Sequence, residues 1–127
     1  VGSEMCIRDR VKAAEKILAM GPPCVIVKKG ESGALMCLDD GSMFVLPAYP
    51  TAVVRDPTGA GDSFAGGFMG YLAEAQKADF GTLKTALAYG TVVASFTIAD
   101  FSLNGLMAVT RAEIDERLEA FRQLTSF

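Results

Sequence analysis

Apolar side chains recur at helical intervals near the start of the chain and predict an amphipathic helix. In residues 11–20 they fall three and four positions apart, with charged residues between them, at Val11, Ala14, Ile17 and Leu18. Gly21, Pro22 and Pro23 follow directly and do not continue a helix. The pattern therefore predicts a helix that ends before Gly21.

Short apolar runs come next, and they predict strands. Residues 24–27 form a run without alternation, which is typical of a strand buried on both faces. Residues 34–38 and 43–46 are two further runs, and the Asp-Gly pair between them is a strong hairpin signal. Residues 51–55 predict one more strand.

Helical patterns dominate the second half of the chain. A turn-rich segment, 56–62, leads into residues 63–75, whose small and large apolar side chains suit a closely packed helix. Asp79 or Thr82 can cap the next helix, which runs to about Ile98. Because that helix is apolar on nearly all sides, we expect it to be buried.

The last helix has a clear start signal. Residues 100–108 have the composition of a loop, and Thr110 and Glu113 then show the spacing of a capping box. Apolar positions follow at helical intervals at Ile114, Leu118, Phe121 and Leu124. Strands followed by helices, with a Gly-rich loop ahead of one helix, predict an α/β domain that binds its ligand at the carboxyl edge of the sheet. Three or four strands beside helices this apolar form an incomplete sheet.

The composition of the chain excludes several classes of function. The chain has 127 residues, half of them apolar, so it can bury the core of one domain. A net charge of −3 leaves no basic excess for nucleic acid. No apolar stretch is long enough to span a membrane, and the first residues lack a signal-peptide centre, so we expect a cytoplasmic protein with no membrane partner. The absence of His excludes most zinc sites and all Ser-His or Cys-His nucleophile pairs.

The first ten residues, VGSEMCIRDR, resemble a translation of the transposase adapter used in sequencing libraries. We therefore expect residues 1–10 to be an artefactual, non-native segment, and we exclude them from the fold prediction. The alternative is a polar N-terminal arm. Residues 11–127 are then expected to be a fragment of a longer protein.

Small residues dominate the segment Gly59-Ala60-Gly61-Asp62 ahead of the helix predicted at 63–75. Small side chains let successive backbone N–H groups converge at the positive end of a helix, which forms an anion site. An Asp after such a site repels a phosphate, unless its carboxylate accepts the proton of a hydroxyl that attacks the phosphate. The spacing therefore favours phosphoryl transfer; the alternative is a plain turn whose Asp stabilises the helix dipole.

Two longer motifs resemble those of one enzyme family. Residues 56–68, DPTGAGDSFAGGF, closely resemble the C-terminal signature of the ribokinase-like, or PfkB-type, carbohydrate kinases. Residues 25–34, VIVKKGESGA, are similar to the strand and Gly-x-x-Gly turn that border the nucleotide in that family. Their order and separation fit too, and the resemblance covers residues 11–124.

The resemblance implies the C-terminal part of a three-layer α/β/α kinase fold, whose N-terminal half and lid are missing from this chain. It implies transfer of the γ-phosphate of ATP to a hydroxymethyl group of a sugar or nucleoside. Asp62 matches the family's catalytic base, which contacts the substrate hydroxyl, and Gly59, Ala60 and Gly61 match its anion hole. Many relatives pair through the lid, so the resemblance allows a homodimer of the full-length protein.

The same resemblance assigns a set of residues to the ATP pocket: Lys28, Gly30, Glu31, Ser32, Gly33 and Thr91. Lys28 stands where many members have a small hydroxyl residue, and its ammonium group either touches a phosphate or lies along the pocket rim. Thr91 stands where ribokinases often have an Asn beside the adenine. Both departures indicate a subgroup other than ribokinase proper.

The resemblance implies Mg²⁺ as a cofactor, held by an acidic motif that is not in this chain. Asp56 and Thr58 match positions that in many members help to hold a potassium-like cation. The rest of that cation site falls in residues 97–106, where residues 98–101, IADF, depart from the family's small and Gly-rich stretch. Dependence on K⁺ and its loss are both open alternatives.

Two alternatives to an active kinase stay open. The first is a nucleotide-binding regulatory module or pseudoenzyme, which keeps the anion hole without catalysis. The second is a non-functional truncated product. Even as part of a kinase, the fragment alone is expected to be inactive, because half of the active site is absent from it.

Overall fold

The structure is a computed structural model, and it describes residues 7–28, 33–50, 60–98 and 109–126. The chain divides into two compact units between Ala48 and Tyr49. The strand predicted at 51–55 and the loop predicted at 100–108 lie outside the described residues.

The first unit contains one helix and a three-stranded sheet. In chain order the elements are α1 (Ile7–Leu18), β1 (Cys24–Lys28), β2 (Ala34–Leu38) and β3 (Met43–Leu46). The strands lie in the order β1-β2-β3, and each is antiparallel to its neighbour. In this register Val25 lies opposite Cys37. Helix α1 begins at Ile7 rather than at the predicted Val11, and Asp9 in its first turn complements the helix dipole.

The core of the first unit lies between α1 and the sheet. Ala14 of α1 packs with Val25 of β1 and with Leu35 and Cys37 of β2. Strand β1 was predicted to be buried on both faces, and this prediction is wrong. Val25 is buried, the three other apolar residues of β1 are half-buried, and Lys28 is exposed. β1 is an outer strand of the described sheet, so the deepest burial falls on the middle strand β2 instead.

The predicted hairpin between β2 and β3 is confirmed. Gly41 has a φ of +93°, in the left-handed region that glycine adopts readily. The Leu38 N–H donates to the Ser42 carbonyl oxygen at 2.9 Å, and the Ser42 N–H donates to Asp40 Oδ1 at 2.8 Å. The Asp side chain thus stabilises the turn locally.

A second glycine fixes where β2 begins. Gly33 is buried and has a φ of +92°. A Cβ atom at Gly33 would overlap the backbone oxygen of Leu46 and lie 2.8 Å from the Cα atom of Pro47. Two independent constraints, the backbone angle and the space, therefore both require glycine.

The second unit contains three helices: α2 (Ala60–Ala75), α3 (Phe80–Ile98) and α4 (Arg111–Thr125). Asp79 caps α3, since its Oδ1 accepts a hydrogen bond from the Thr82 N–H at 3.2 Å. The capping box of α4 is also present: Thr110 accepts from the Glu113 N–H and Glu113 accepts from the Thr110 N–H. Both caps agree with the sequence prediction.

Helix α3 supplies most of the core of the second unit, as its apolar composition predicted. The buried apolar residues of this unit are Phe64, Phe68, Leu83, Ala86, Leu87, Tyr89, Val92, Val93, Ile114 and Phe121. Helix α4 is joined to α3 through Arg117, whose guanidinium lies 3.7 Å from the centre of the Phe96 ring and donates to Ser95 Oγ at 3.0 Å. Arg117 thus combines a cation–π interaction with a partly buried hydrogen bond.

Glycines let α2 and α3 approach closely. A Cβ atom at Gly90 would lie 2.7 Å from the carbonyl oxygen of Phe64, and one at Gly67 would lie 3.1 Å from the Cα atom of Gly90. The two helices therefore pack nearly backbone to backbone at this point. No helix in the described part of the chain has the length and apolar content needed to cross a membrane.

Two glycines with almost the same φ allow a matched test of the sheet geometry. Gly33→Ala should lower the free energy of unfolding by about 2 to 4 kcal/mol, because it adds a steric overlap to the cost of a left-handed alanine. Gly41→Ala has no described atom within 4 Å of the new Cβ atom. It should therefore cost only about 1 kcal/mol. Urea unfolding of both variants measures the difference, and equal losses would contradict this account of Gly33.

Candidate functional site

The first turn of α2 carries the residues predicted to bind an anion. The helix begins at Ala60, whereas the sequence predicted a start at Ser63, so Ala60, Gly61 and Asp62 are helical. The first N–H groups of an α-helix have no carbonyl partner within the helix. Those of Ala60, Gly61 and Asp62 are therefore available to an acceptor at the positive end of the helix dipole.

Gly61 leaves this end of the helix open. A Cβ atom at Gly61 would meet no described atom within 4 Å, and the φ of Gly61 is not positive. Glycine in a helix costs about 0.5 to 1 kcal/mol relative to alanine. Neither the packing of the described residues nor the backbone angle requires glycine here, in contrast to Gly90. Gly61 does allow another molecule to approach the backbone closely.

Asp62 is exposed, and no hydrogen bond joins its carboxylate to another described residue. A carboxylate in the first turn of a helix is stabilised by the helix dipole. Its accessible oxygens can accept a proton or a hydrogen bond from a substrate hydroxyl. The structure thus places Asp62 in the same helical turn as the N–H groups of Ala60 and Gly61, and its role as a catalytic base stays a prediction.

Ser63 and Thr97 tie this turn to α3. Thr97 Oγ1 donates to Ser63 Oγ at 2.8 Å, and Thr97 is fully buried while Ser63 is 8% exposed. The two residues are far apart in the sequence, so local pattern reasoning missed the pair. The available signal was a pair of hydroxyl residues in apolar helices, because buried hydroxyl groups nearly always have a hydrogen-bond partner.

The predicted ATP-pocket residues are only partly described. Gly30, Glu31 and Ser32 lie outside the described residues. Gly33 packs against the backbone at the end of β3. Lys28 is the last residue of β1, opposite Ala34. Although Lys28 is exposed, nearby protein atoms desolvate its ammonium group and lower its pKa from its ordinary value.

Thr91 lies on α3 and is half-buried. Its hydroxyl donates to the Leu87 carbonyl oxygen at 2.8 Å, within the same helix. The Thr91 oxygen keeps a free lone pair and can accept a hydrogen bond, but its donor is already in use. Its predicted place beside an adenine stays a prediction.

The remaining predicted residues are the cation ligands and the first member of the anion hole. Asp56, Thr58 and Gly59 lie outside the described residues. Within the described ranges, no group of three or more acidic or Cys side chains could hold a metal ion. The described residues therefore do not by themselves fit a Mg²⁺ site.

A groove of about 310 Å³ in the second unit is lined by glycines of α2 beyond its first turn and by Tyr71, Glu74, Tyr89 and Arg111. Arg111 donates two hydrogen bonds to the Glu74 carboxylate, each at 3.1 Å, and its guanidinium lies 5.2 Å from the centre of the Tyr89 ring. These hydrogen bonds lower the pKa of Glu74 and raise the pKa of Arg111. The charges of Arg111 and Glu74 compensate each other. We therefore interpret this groove as a structural contact that links α2 to α4, and not as a ligand site. The Glu74–Arg111 pair was not predicted from the sequence, because the two residues lie 37 positions apart.

One protein family matches most of the chain. The family described as pfkB family carbohydrate kinase matches residues 4–108. A curated relative, the 5-dehydro-2-deoxygluconokinase of Geobacillus kaustophilus (strain HTA426), is 32% identical over 115 residues, covering 91% of this chain and 32% of the relative. The chain spans about a third of the length of such curated relatives.

Solved structures of kinases share the fold. The ribokinase from Giardia lamblia superposes with a TM-score of 0.77 at 23% identity, covering 92% of this chain and 38% of that protein. The aminoimidazole riboside kinase from Salmonella enterica, solved with aminoimidazole riboside and an ATP analogue, superposes with a TM-score of 0.69 at 28% identity. It covers 91% of this chain and 36% of that kinase. The α/β ribokinase-like fold expected from the sequence is thereby confirmed.

Alanine variants at Gly61 and Gly90 test whether the two glycines have different roles. Gly90→Ala should lower the free energy of unfolding by about 1 to 2 kcal/mol, since the overlap with Phe64 outweighs the gain in helix propensity. Gly61→Ala should leave stability unchanged or raise it by up to about 1 kcal/mol. Urea denaturation of the two variants provides the comparison. A large loss of stability in Gly61→Ala would mean that the fold, and not a ligand, requires this glycine.

Proposed function

Because the chain belongs to the PfkB family of carbohydrate kinases, we propose that it is the C-terminal part of an enzyme that phosphorylates a hydroxymethyl group of a sugar or nucleoside with ATP. The matched relatives are sugar and nucleoside kinases. The riboside kinase that shares the fold was solved with an ATP analogue. These relatives support both the donor and the class of acceptor.

The observation that carries the proposal is the open first turn of α2. It combines N–H groups without helical partners, a glycine that nothing in the described fold requires, and an exposed carboxylate at Asp62. A turn that served only to start a helix would not need Gly61. A site for a transferred phosphoryl group needs donors that a charged oxygen can reach.

In the proposed mechanism Asp62 orients the acceptor hydroxyl and accepts its proton as the oxygen attacks the γ-phosphorus of ATP, while the bond to the β,γ-bridging oxygen breaks and ADP leaves. The N–H groups of Gly61 and its neighbours stabilise the negative charge on the transferred phosphoryl group, and removal of one such donor typically costs about 3 to 4 kcal/mol of barrier. Electrostatics and positioning provide most of the rate in phosphoryl transfer.

We further propose that the upstream part of the active site, with the acidic residues for Mg²⁺, is encoded before Val11. Asp56 and Thr58 remain the proposed ligands of a monovalent cation. Sequencing the source DNA upstream of the Val11 codon, from a library made without the transposase adapter, tests this. A reading frame that continues into a Gly-rich substrate segment and an acidic motif supports the kinase. A natural start codon at or near Val11 would favour the regulatory module or pseudoenzyme.

Asp62→Asn in the complete reading frame should lower kcat by about 10² to 10⁴-fold, because the amide cannot accept the proton. Binding of ATP should remain close to that of the wild type, since the N–H groups of the turn are unchanged. Steady-state kinetics and calorimetric titration with a non-hydrolysable ATP analogue measure the two effects.

Asp79→Asn is the matched control for Asp62→Asn. Asp79 is also a carboxylate at the start of a helix, and Asn caps helices about as well as Asp. This variant removes the same charge at the neighbouring helix and should keep kcat within about twofold, because Asn preserves the cap. Substantial turnover by Asp62→Asn, or an equal loss in both variants, would refute the role assigned to Asp62.

A further inference from the structure

We propose that Thr97 is a positioning residue for phosphoryl transfer, which holds the first turn of α2 so that Asp62 and the Gly61 N–H keep a fixed place. The inference rests on the proposed function, because positioning has a meaning only where the reaction takes place. It assigns a role to a residue that neither touches the transferred phosphoryl group nor lies near Asp62 in the sequence.

The hydrogen bond between Thr97 and Ser63 carries the proposal. Thr97 Oγ1 donates to Ser63 Oγ at 2.8 Å, and the Thr97 side chain is fully buried in the last turn of α3. The next acceptor for this hydroxyl, the Val93 carbonyl oxygen, lies 3.5 Å away. The contact with α2 is therefore the stronger hydrogen bond of this hydroxyl.

Ser63 directly follows Asp62 in the same helical turn, but the two side chains differ in burial. Ser63 is buried, whereas Asp62 is exposed. Successive residues of an α-helix project about 100° apart around the axis, so the direction of one side chain sets that of the next. A hydrogen bond that fixes Ser63 therefore fixes the direction in which Asp62 projects.

The packing of α2 on α3 and the hydrogen bond of Thr97 restrain α2 in different ways. The contact of Gly90 with Phe64 sets how closely the helices approach, and Phe64 and Phe68 are buried in the core. These van der Waals contacts depend on distance rather than on direction. The hydrogen bond of Thr97 is directional and acts on the turn that carries Asp62. Misplacement of a catalytic group by about 1 Å can lower a rate 10²-fold.

Ser95 provides a matched control on the same helix. It is also buried, but its hydroxyl donates to the Val92 carbonyl oxygen and accepts from Arg117 of α4. Ser95→Ala thus removes a buried hydroxyl of α3 that makes no hydrogen bond with α2. It separates a general loss of stability from a specific effect on the first turn of α2.

Hydrogen–deuterium exchange of the complete protein tests whether the Thr97–Ser63 hydrogen bond restrains the first turn of α2. Thr97→Val should speed exchange of the backbone amides of residues 63–65 about tenfold, while those in the middle of α2 change less. Thr97→Ser keeps the hydroxyl and should restore protection, and Ser95→Ala should leave these amides as in the wild type. Ser63→Ala provides a second variant, should Thr97→Val fail to fold. Unchanged exchange in the variants that lack the Thr97–Ser63 hydrogen bond would overturn the proposal.

Kinetics of the complete reading frame test the catalytic part. Thr97→Val and Ser63→Ala should each lower kcat about 10 to 100-fold with little change in KM for ATP, and the double variant should lose no more than either one. Thr97→Ser should recover most of the activity. Unchanged kcat in Thr97→Val, or the same loss in Ser95→Ala, would refute the inference alone. A wild-type protein without any turnover would instead refute the proposed function, and the catalytic role of Thr97 with it.

Discussion

The near contact between the backbones of α2 and α3 is the constraint on which the second unit depends. It exists because Gly90 has no side chain where the Phe64 carbonyl oxygen passes. Once the helices are this close, the Ser63 and Thr97 hydroxyl groups are within hydrogen-bond distance, and Phe64 and Phe68 fill the core. A wider separation would remove each of these contacts, because packing forces act only at short range.

This constraint lets one end of α2 be rigid and accessible at the same time. A binding site at a helix terminus needs free N–H groups, and free N–H groups are normally found where a helix frays. Here the inward side of the turn is held by Ser63, while Gly61 and Asp62 on the other side remain open. Preorganised donors of this kind stabilise charge without the cost of reorganisation.

The sequence was sufficient for features with a local cause. The Asp-Gly turn, the cap of α3 and the capping box of α4 each depend on residues within a few positions of one another. The first and last were predicted, and Asp79 was one of two predicted caps for α3. The burial of β1 was not predicted correctly, because it depends on which strands and helices cover that strand. The ribokinase-like fold was predicted from long motifs. The Thr97 contact could not be predicted, since it joins residues that only the packing of two helices brings together.

The length of the motif at residues 56–68 has a physical explanation in these contacts. A site made only of an anion hole and a base would end at Asp62. The motif continues, and the residues after Asp62 have packing roles. Ser63 accepts a hydrogen bond from Thr97, and the Phe64 carbonyl oxygen lies against Gly90. Gly67 allows α3 to approach closely, and the Phe68 side chain is buried in the core. The first half of the motif presents the reactive groups, and the second half fixes the helix that carries them. The length of this motif therefore reflects the packing of α2 on α3 as much as the chemistry at the first turn of α2.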